Sequence, residues 1–513
     1  MESVSGPAGR TATLDPVRRL TSATCAALLA LLGCALAMGL LGGTPTGIAD
    51  NGDGSRVYCG AGLVPQTPTG RAAWLGGVVF DFDRTAPCAD PQPSAAVWAL
   101  RLAGAGQDPF SLTRLGWLYA LGVALVTAAA AWALSRRGGW WPLLLLPAAA
   151  PLANQDFVRF FLSTFAEPPG LLGTYAVLCG TIAIAATSPA HRPERVVGLV
   201  LTAGGGVLAV LAKVSFLPVL GIALLVCLLT VVGTHRWRRL LTGPAVAVAV
   251  GLLAVGPVTR ALDWQEVSYP GVNSFNLAYT LVLTEVPGSA AELGLPEAAQ
   301  DYAGNGYYPN GPEAAPGAPV VLADPAAVRG ASWAVLMTNP GALLRALGNG
   351  LIATEGRELD YLADYPWEPG NRPLPVGKAL SGAQGADPVS FRGWLGGFVV
   401  PWKPFAVAGL GLLLGLVTLF VRRHPVVLAL GRAAGLATVT ALGLVGLAVL
   451  GDGYFEVAKH VWLAAYLLDA AMLAGVGALL ALVVSLVRRR PADPVPLPDH
   501  DDAPTVEFPR VTA

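Results

Sequence analysis

Long apolar blocks constrain this chain more than anything else in it. Ten stretches approach or exceed the roughly 20 apolar residues that a helix needs to cross a bilayer core. They lie near 20–43, 113–135, 138–153, 170–187, 196–213, 214–233, 241–259, 403–421, 425–450 and 460–486. Inside lipid each backbone amide must find its partner within the structure, so such blocks fold as helices. The expectation is an all-α polytopic membrane protein of about ten transmembrane helices, with a large extracytoplasmic loop containing interfacial helices. Only 13% of the 513 residues are charged, about half the usual soluble share of roughly 25%, so a set of soluble domains is excluded. Lys plus Arg and Asp plus Glu balance at 33 each. The basic excess of a nucleic-acid binder is therefore missing, and no nucleic-acid partner is expected.

Arginine clusters fall at every second connection: Arg18 and Arg19, Arg136 and Arg137, Arg192 and Arg195, Arg236 with Arg238 and Arg239, Arg422 and Arg423, and Arg488 to Arg490. By the positive-inside rule both termini are cytoplasmic and the chain is a multi-pass protein of the cell membrane. The order is then a cytoplasmic N-terminus (1–19), seven transmembrane helices within 20–259 that include a first outer loop (44–112), a large extracytoplasmic loop (260–402), three more helices (403–486) and a disordered cytoplasmic tail (487–513). The first block follows two arginines, as a signal peptide would, but exceeds the 7 to 15 apolar residues of one; it reads as an uncleaved span. Residues 332–354 are nearly long enough to cross. Asn339, Pro340, Arg345 and Asn349 interrupt them, however, and a crossing there would invert every later Arg cluster, so they read as an interfacial or re-entrant helix. In the first outer loop, 73–80 and 95–103 are too short to span and suit interfacial helices. No fixed-period repeat or inverted pair of halves is visible, which weighs against a secondary transporter.

Chemistry is concentrated on the outer side. After the first span comes Asp50-Asn51-Gly52-Asp53-Gly54-Ser55-Arg56, two turn formers in succession. This turn presents Asp53 and Arg56 at the membrane surface, where a carboxylate can take a hydroxyl proton and a cation can hold an anionic headgroup. A solvated turn is the alternative. The second outer loop places Phe157, Phe160, Phe161 and Phe165 at near-helical spacing, as for a helix lying on the interface, and sets Glu167 at the mouth of the fourth span. The only lysines are Lys213, Lys378, Lys403 and Lys459, all on the outer half. Lys213, between the fifth and sixth spans, can meet a lipid phosphate or snorkel to the interface. Glu456, Lys459 and His460 share one face if a helix starts before them, and Asp469 lies within the last apolar run, where an ionisable group is costly. In the large loop, Arg357, Asp360, Tyr361 and Asp364, with Tyr307, Tyr308, Trp367 and Trp394, offer the carboxylates and aromatic faces that sugar recognition uses. Cys59 and Cys88 share the first outer loop, where an oxidising compartment permits a disulfide; Cys25, Cys34, Cys179 and Cys227 lie in spans. No metal-ligand spacing, phosphate-cradling loop or serine nucleophile elbow is present.

These pieces, in this order, resemble bacterial membrane glycosyltransferases of the GT-C superfamily, and most closely the WsfD-like glycan-biosynthesis hexose transferases. The resemblance is carried by Asn51-Gly52-Asp53 with Arg56, Phe161 to Pro168 with Glu167, Lys213, Glu292 to Pro296, Arg357 with Tyr361-Leu362, and Glu456 through Lys459-His460 to Asp469. Gly54, where relatives carry an aromatic, and the Tyr361 to Tyr365 stretch, where a Gly-Asn version is usual, depart from the pattern. The resemblance implies a sugar donor on a polyprenyl phosphate, a glycan acceptor, and Asp53 as catalytic base. A phosphate leaving group needs cations, which gives Arg56, Lys213 and Arg357 the donor phosphate, and Glu167, Tyr361 and His460 are the candidate substrate contacts. No cofactor is required, although a divalent metal ion can share the phosphate charge. A flippase for lipid-linked sugar, or a polysaccharide polymerase or ligase, are the rival readings.

Overall fold

The computed structural model describes residues 16–269, 271–357, 359, 361–373, 402–420 and 424–487. Lys378, Trp394, Asp360, the clusters Arg422–Arg423 and Arg488–Arg490 and the proposed tail lie outside the described residues. The protein is a helical membrane bundle. Among the described residues eight helices are long and apolar enough to cross a membrane, and two shorter apolar segments, Trp141–Ala153 and Val214–Leu229, accompany them.

In chain order the helices of interest are α1 (Pro16–Ala37), α2 (Ser55–Gly60), α3 (Ala95–Ala103), α4 (Leu112–Ser135), α5 (Glu167–Ala186), α6 (Arg192–Ala212), α7 (Leu217–Leu229) and α8 (Arg236–Ser268). They continue with α9 (Pro325–Thr338), α10 (Pro340–Ala353), α11 (Lys403–Phe420), α12 (Pro425–Asp452), α13 (Val457–His460) and α14 (Trp462–Val487). Helix α5 is buried along nearly its whole length, as a helix apolar on every face should be, and packs against α4, α6 and α12. At one end of the bundle Glu194, buried at the start of α6, accepts from Arg19 of α1 at 2.8 Å and from Arg136 after α4 at 3.2 Å. Three of the Arg clusters therefore meet on one side. At the other end lie the 44–112 segment, the start of α5, the end of α6 and the link between α12 and α14.

Several local expectations change. The third apolar block is a run of short 3₁₀ and α turns rather than one helix, because Pro142, Pro147 and Pro151 each remove a backbone donor. Helix α8 is 33 residues long, about 50 Å at 1.5 Å per residue, so 260–268 belong to a helix and not to a loop. The phenylalanine stretch does not lie on an interface: Phe157, Phe160, Phe161 and Phe165 are all buried, covered by Trp462, Tyr466 and Tyr119. Within 44–112, residues 95–103 form α3, capped by Ser94. Residues 73–80 are irregular and lead into a three-stranded antiparallel sheet of β1 (Leu63–Pro65), β2 (Asp81–Arg84) and β3 (Phe110–Ser111). Their backbone is engaged elsewhere, since Val78 pairs with the large loop through Tyr365 and Trp367. The 332–354 stretch breaks at Asn339-Pro340 into α9 and α10, each of 14 residues and about 21 Å long, too short to cross.

The α5–α6 seam sets the geometry of the site, because it brings the first residue of α5 beside the residue that ends α6. Close approach is possible only because the seam is built from small residues: a Cβ on Gly205 would sit 2.5 Å from the Gly173 carbonyl oxygen, and one on Gly173 would meet the Gly205 carbonyl oxygen at the same distance. A Cβ on the adjacent Gly204 meets nothing within 4 Å. Gly205→Leu is expected to lower the thermal midpoint in detergent strongly, since overpacking costs about 1–3 kcal/mol, while Gly204→Leu melts close to wild type. Equal midpoints for the two variants would refute the seam.

Candidate functional site

The site begins with a clamped turn. Oδ1 of Asp50 accepts the amides of Gly52 at 2.8 Å and Gly54 at 2.9 Å, and the Ser55 hydroxyl donates to the Gly52 carbonyl at 2.8 Å. Gly52 has φ +110°, a backbone that side chains resist, and a Cβ at Gly54 would fall 2.2 Å from the Thr164 hydroxyl. A larger side chain at Gly54 has no room here. The turn projects Asp53 outward and starts α2, which carries Arg56. Six residues of helix cannot stand alone; a disulfide from Cys59 to Cys88 pins α2 from behind.

Lys459 of α13 meets the turn from the far end of the sequence. Its side chain is fully buried, with Nζ 2.6 Å from Asp53 Oδ2, 3.0 Å from Asn51 Oδ1 and 3.6 Å from Glu456 Oε2, over the Phe165 ring. The Asn51 amide donates in turn to both Glu456 oxygens, at 2.9 and 3.0 Å. Burial disfavours the Lys459 charge, but Asp53, Glu456 and Glu167 outweigh it and hold the ammonium well above its ordinary value. Burial likewise pushes Asp53 up, but Lys459 and Lys213 hold its carboxyl well below the usual carboxylate range. Asp50, beneath the turn, behaves oppositely: burial pushes it up to about 6 against its two amide hydrogen bonds.

Around this pair lies a cavity of about 500 Å³. Its polar part holds Asp53, Arg56, Glu167, Lys213, Glu456 and His460. Its apolar wall is made by Leu217 at the start of α7, Ala261 and Leu262 near the end of α8, and Leu447 and Ala448 near the end of α12. Glu167 accepts from Lys213 Nζ at 2.8 Å across the α5–α6 seam. Arg56 has no carboxylate partner among the described residues; its guanidinium lies over the rings of Tyr269, at 4.0 Å, and Trp264, at 5.8 Å. Trp74 lines the same space, with its backbone in the left-handed region at φ +64° and its amide donating to the Asp50 carbonyl.

Of the residues singled out from the sequence, Asp53, Arg56, Glu167, Lys213 and His460 thus share one cavity. Arg357, Tyr361 and Asp469 do not line it. Arg357 is buried, paired with Asp469 and 3.7 Å from Glu355, so the charge within the last span has its counter-ion in the large loop. The helix expected to start before Glu456, Lys459 and His460 starts only after Glu456, although Lys459 still lies 3.6 Å from Glu456. Glu456 sits in the left-handed region at φ +46° before α13 begins, so Lys459 turns to Asp53 while His460 Nε2 lies 3.2 Å from Asp452 Oδ2. Sequence reasoning passed over Asp50, Asp452, Asn276, Trp264 and Tyr269. The last two are the aromatic end of a helix whose apolar pattern stops before them, and the pairing of Asn276 with Asp452 joins residues 176 positions apart. Among the described residues no group of three or more His, Cys, Asp or Glu side chains is placed to hold a metal ion.

The family model of the YfdI N-terminal transmembrane domain matches residues 12–319, more than half of the chain, and the protein belongs to this family. No curated protein and no solved structure matches it. The matched region carries Asp53, Arg56, Glu167 and Lys213; Lys459 and His460 come from beyond it.

The state of Asp50 gives a stability test. A carboxyl raised on folding binds more protons folded than unfolded between its ordinary value and about 6, so its contribution weakens the fold as pH rises through that window. Asp50→Asn keeps Oδ1 for both glycine amides and removes the charge. The variant should be more stable than wild type at pH 8, by up to about 3 kcal/mol for a shift of roughly two units, with the advantage vanishing near pH 4. Thermal melts in detergent across this range test it, and no gain at pH 8 would contradict it.

Proposed function

We propose that the protein is a membrane glycosyltransferase of GT-C type, similar to WsfD-like hexose transferases, that moves a sugar from a polyprenyl-phosphate donor to a cell-envelope glycan or lipid-linked acceptor. The observation that carries this reading is one cavity that joins three things: an ionised carboxylate with an oxygen open to the cavity, a cation without a carboxylate partner among the described residues, and an apolar wall at the ends of helices. A lipid-linked phosphosugar has the matching parts, an isoprenoid chain for Leu217, Leu262 and Leu447, a phosphate for Arg56 and Lys213, and an anomeric carbon within reach of an acceptor held at Asp53. The Arg-rich end opposite the cavity favours a cavity that faces the outside of the cell, with both termini cytoplasmic.

In the proposed reaction Asp53 accepts the proton of the acceptor hydroxyl, the oxygen attacks the anomeric carbon from the face opposite the phosphate, and the bond to phosphate breaks with its electron pair leaving on polyprenyl phosphate. The result is inversion at that carbon. A phosphate leaving group needs positive charge more than a proton. Arg56, over the rings of Tyr269 and Trp264, and Lys213, held by Glu167, supply it. Lys459 keeps Asp53 ionised and aimed. Arg357 takes no part in phosphate binding in this scheme; its partner is Asp469.

A base positioned in this way is typically worth about 10² to 10⁴ in rate. Asp53→Asn should insert and fold yet lose transfer by at least about 100-fold, with donor binding retained, in an assay of purified protein with a lipid-linked phosphosugar and acceptor. Turnover within a few-fold of wild type would remove Asp53 from the reaction.

A further inference from the structure

Among the described residues the Trp, Tyr and Phe side chains that line the cavity are Trp74, Trp264, Tyr269, Tyr308 and Phe455. All but the first are engaged with protein groups. Trp264 and Tyr269 lie under the Arg56 guanidinium, and Tyr308 and Phe455 pack on each other with ring centroids 6.3 Å apart. Trp74 is half-buried. Among the described residues no aromatic ring or cation lies against it, and its indole N–H meets no acceptor. An indole nitrogen is a donor only, and when buried it usually finds a partner. Here the partner has to come from the cavity.

The backbone holds this ring in place against its own preference. Trp74 sits in the left-handed region at φ +64°, where a bulky residue is an outlier. Such strain persists only where the surroundings over-determine it, and it gathers at functional sites. Trp74 is pinned from both sides. Its amide donates to the Asp50 carbonyl at 2.9 Å, at the root of the Asp53 turn. Four residues on, Val78 donates to the Tyr365 carbonyl at 2.8 Å and accepts the Trp367 amide at 2.9 Å, which ties the segment to the large loop. The indole Nε1 lies 3.7 Å from the point that a Cβ on Gly52 would occupy, beside the residue that precedes Asp53.

The geometry of the transfer says which substrate this ring meets. Attack with inversion sets the nucleophile and the leaving phosphate on opposite faces of the anomeric carbon. Arg56, drawn to the end of α8 by Trp264 and Tyr269, together with Lys213 and the apolar wall, serves the phosphate and its chain. The base serves the nucleophile, and Trp74 adjoins the turn that carries the base. We propose that Trp74 is a specificity-determining residue for the acceptor: the hydroxyl that is glycosylated belongs to a pyranose whose C–H face stacks on the indole, and Nε1–H donates to another oxygen of the same ring. Sugar C–H groups carry partial positive charge and meet the negative face of an aromatic ring, which a lipid hydroxyl or a free polyol does not. The proposal rests on the reading of the cavity as a phosphosugar site and adds the chemistry of the acceptor to it.

The test is steady-state kinetics of the full-length protein in detergent, with donor lipid and undecorated glycan both extracted from cells that lack the gene, each varied while the other is saturating. Trp74→Gly keeps the left-handed backbone without strain and removes the ring; Trp74→Phe keeps an aromatic face and removes the N–H. Trp74→Gly should raise the KM for the glycan about tenfold and leave the KM for the donor within about twofold of wild type. Trp74→Phe should raise the KM for the glycan about threefold, the share of one hydrogen bond, again without moving that for the donor. The split between the two substrates is what a merely structural role would not produce, and Trp74→Phe reads it even where Trp74→Gly fails to fold. A donor KM that rises together with that of the glycan, a glycan KM unchanged in either variant, or Trp74→Phe as impaired as Trp74→Gly overturns the assignment. Absence of transfer by wild type from that lipid to that glycan overturns the donor reading itself, and the acceptor subsite with it.

Discussion

An ion pair between Asp53 and the fully buried Lys459 joins parts of the chain 406 residues apart and shapes the cavity. Taking the Lys459 charge out of water costs several kcal/mol, and such a group holds only where its partners satisfy it. Here they do: Asn51 bridges Lys459 to Glu456, and the turn behind Asp53 is closed on Asp50. The hydrogen bonds of Asn51 to Glu456 and Lys459 hold the first loop against the link between α12 and α14 alongside the pair. The arrangement also explains the left-handed backbone of Glu456, a strain of the kind that surrounding contacts must over-determine.

A second constraint comes from the membrane. Spanning helices need apolar residues to their ends, so a site built where five of them terminate inherits a greasy wall on one side and charged loops on the other. The cavity is amphipathic for that reason. Its polar half is made from helix ends and their connections, the places where polar groups can be tolerated, and its apolar half from the start of α7 and the last few turns of α8 and α12. A ligand with a lipid chain and a charged head fits such a space; a wholly soluble sugar would leave half of it unused.

Much of this was legible in the sequence. Apolar block length gave the all-helical architecture, and the alternation of Arg18–Arg19, Arg136–Arg137 and Arg192–Arg195 corresponds to the shared contacts of Arg19 and Arg136 with Glu194. The Asn-Gly-Asp-Gly turn was recognisable because glycine chemistry is local. What stayed hidden was long-range or depended on one dihedral angle. No spacing rule pairs Arg357 with Asp469 or Asn276 with Asp452. Helical spacing grouped Glu456 with Lys459 and His460, but α13 starts only after Glu456, and Lys459 and His460 meet different partners. The Phe157 to Phe165 spacing suited an exposed interfacial helix as well as a buried one, and only the packing of Trp462 and Tyr466 over those rings decides between them. Within the third apolar block, three prolines counted for more than hydropathy.

The central claim is that the cavity takes a monophosphate-linked sugar donor and passes the sugar on. The most direct measurement is mass analysis of the lipid-linked saccharides in cells from which the gene has been removed. The account predicts accumulation of a polyprenyl monophosphate carrying a single sugar, together with an envelope glycan that lacks that sugar. Accumulation of a polyprenyl diphosphate oligosaccharide, with no monophosphate-linked sugar in excess, would contradict it and point to polymerisation or ligation of a preassembled chain instead.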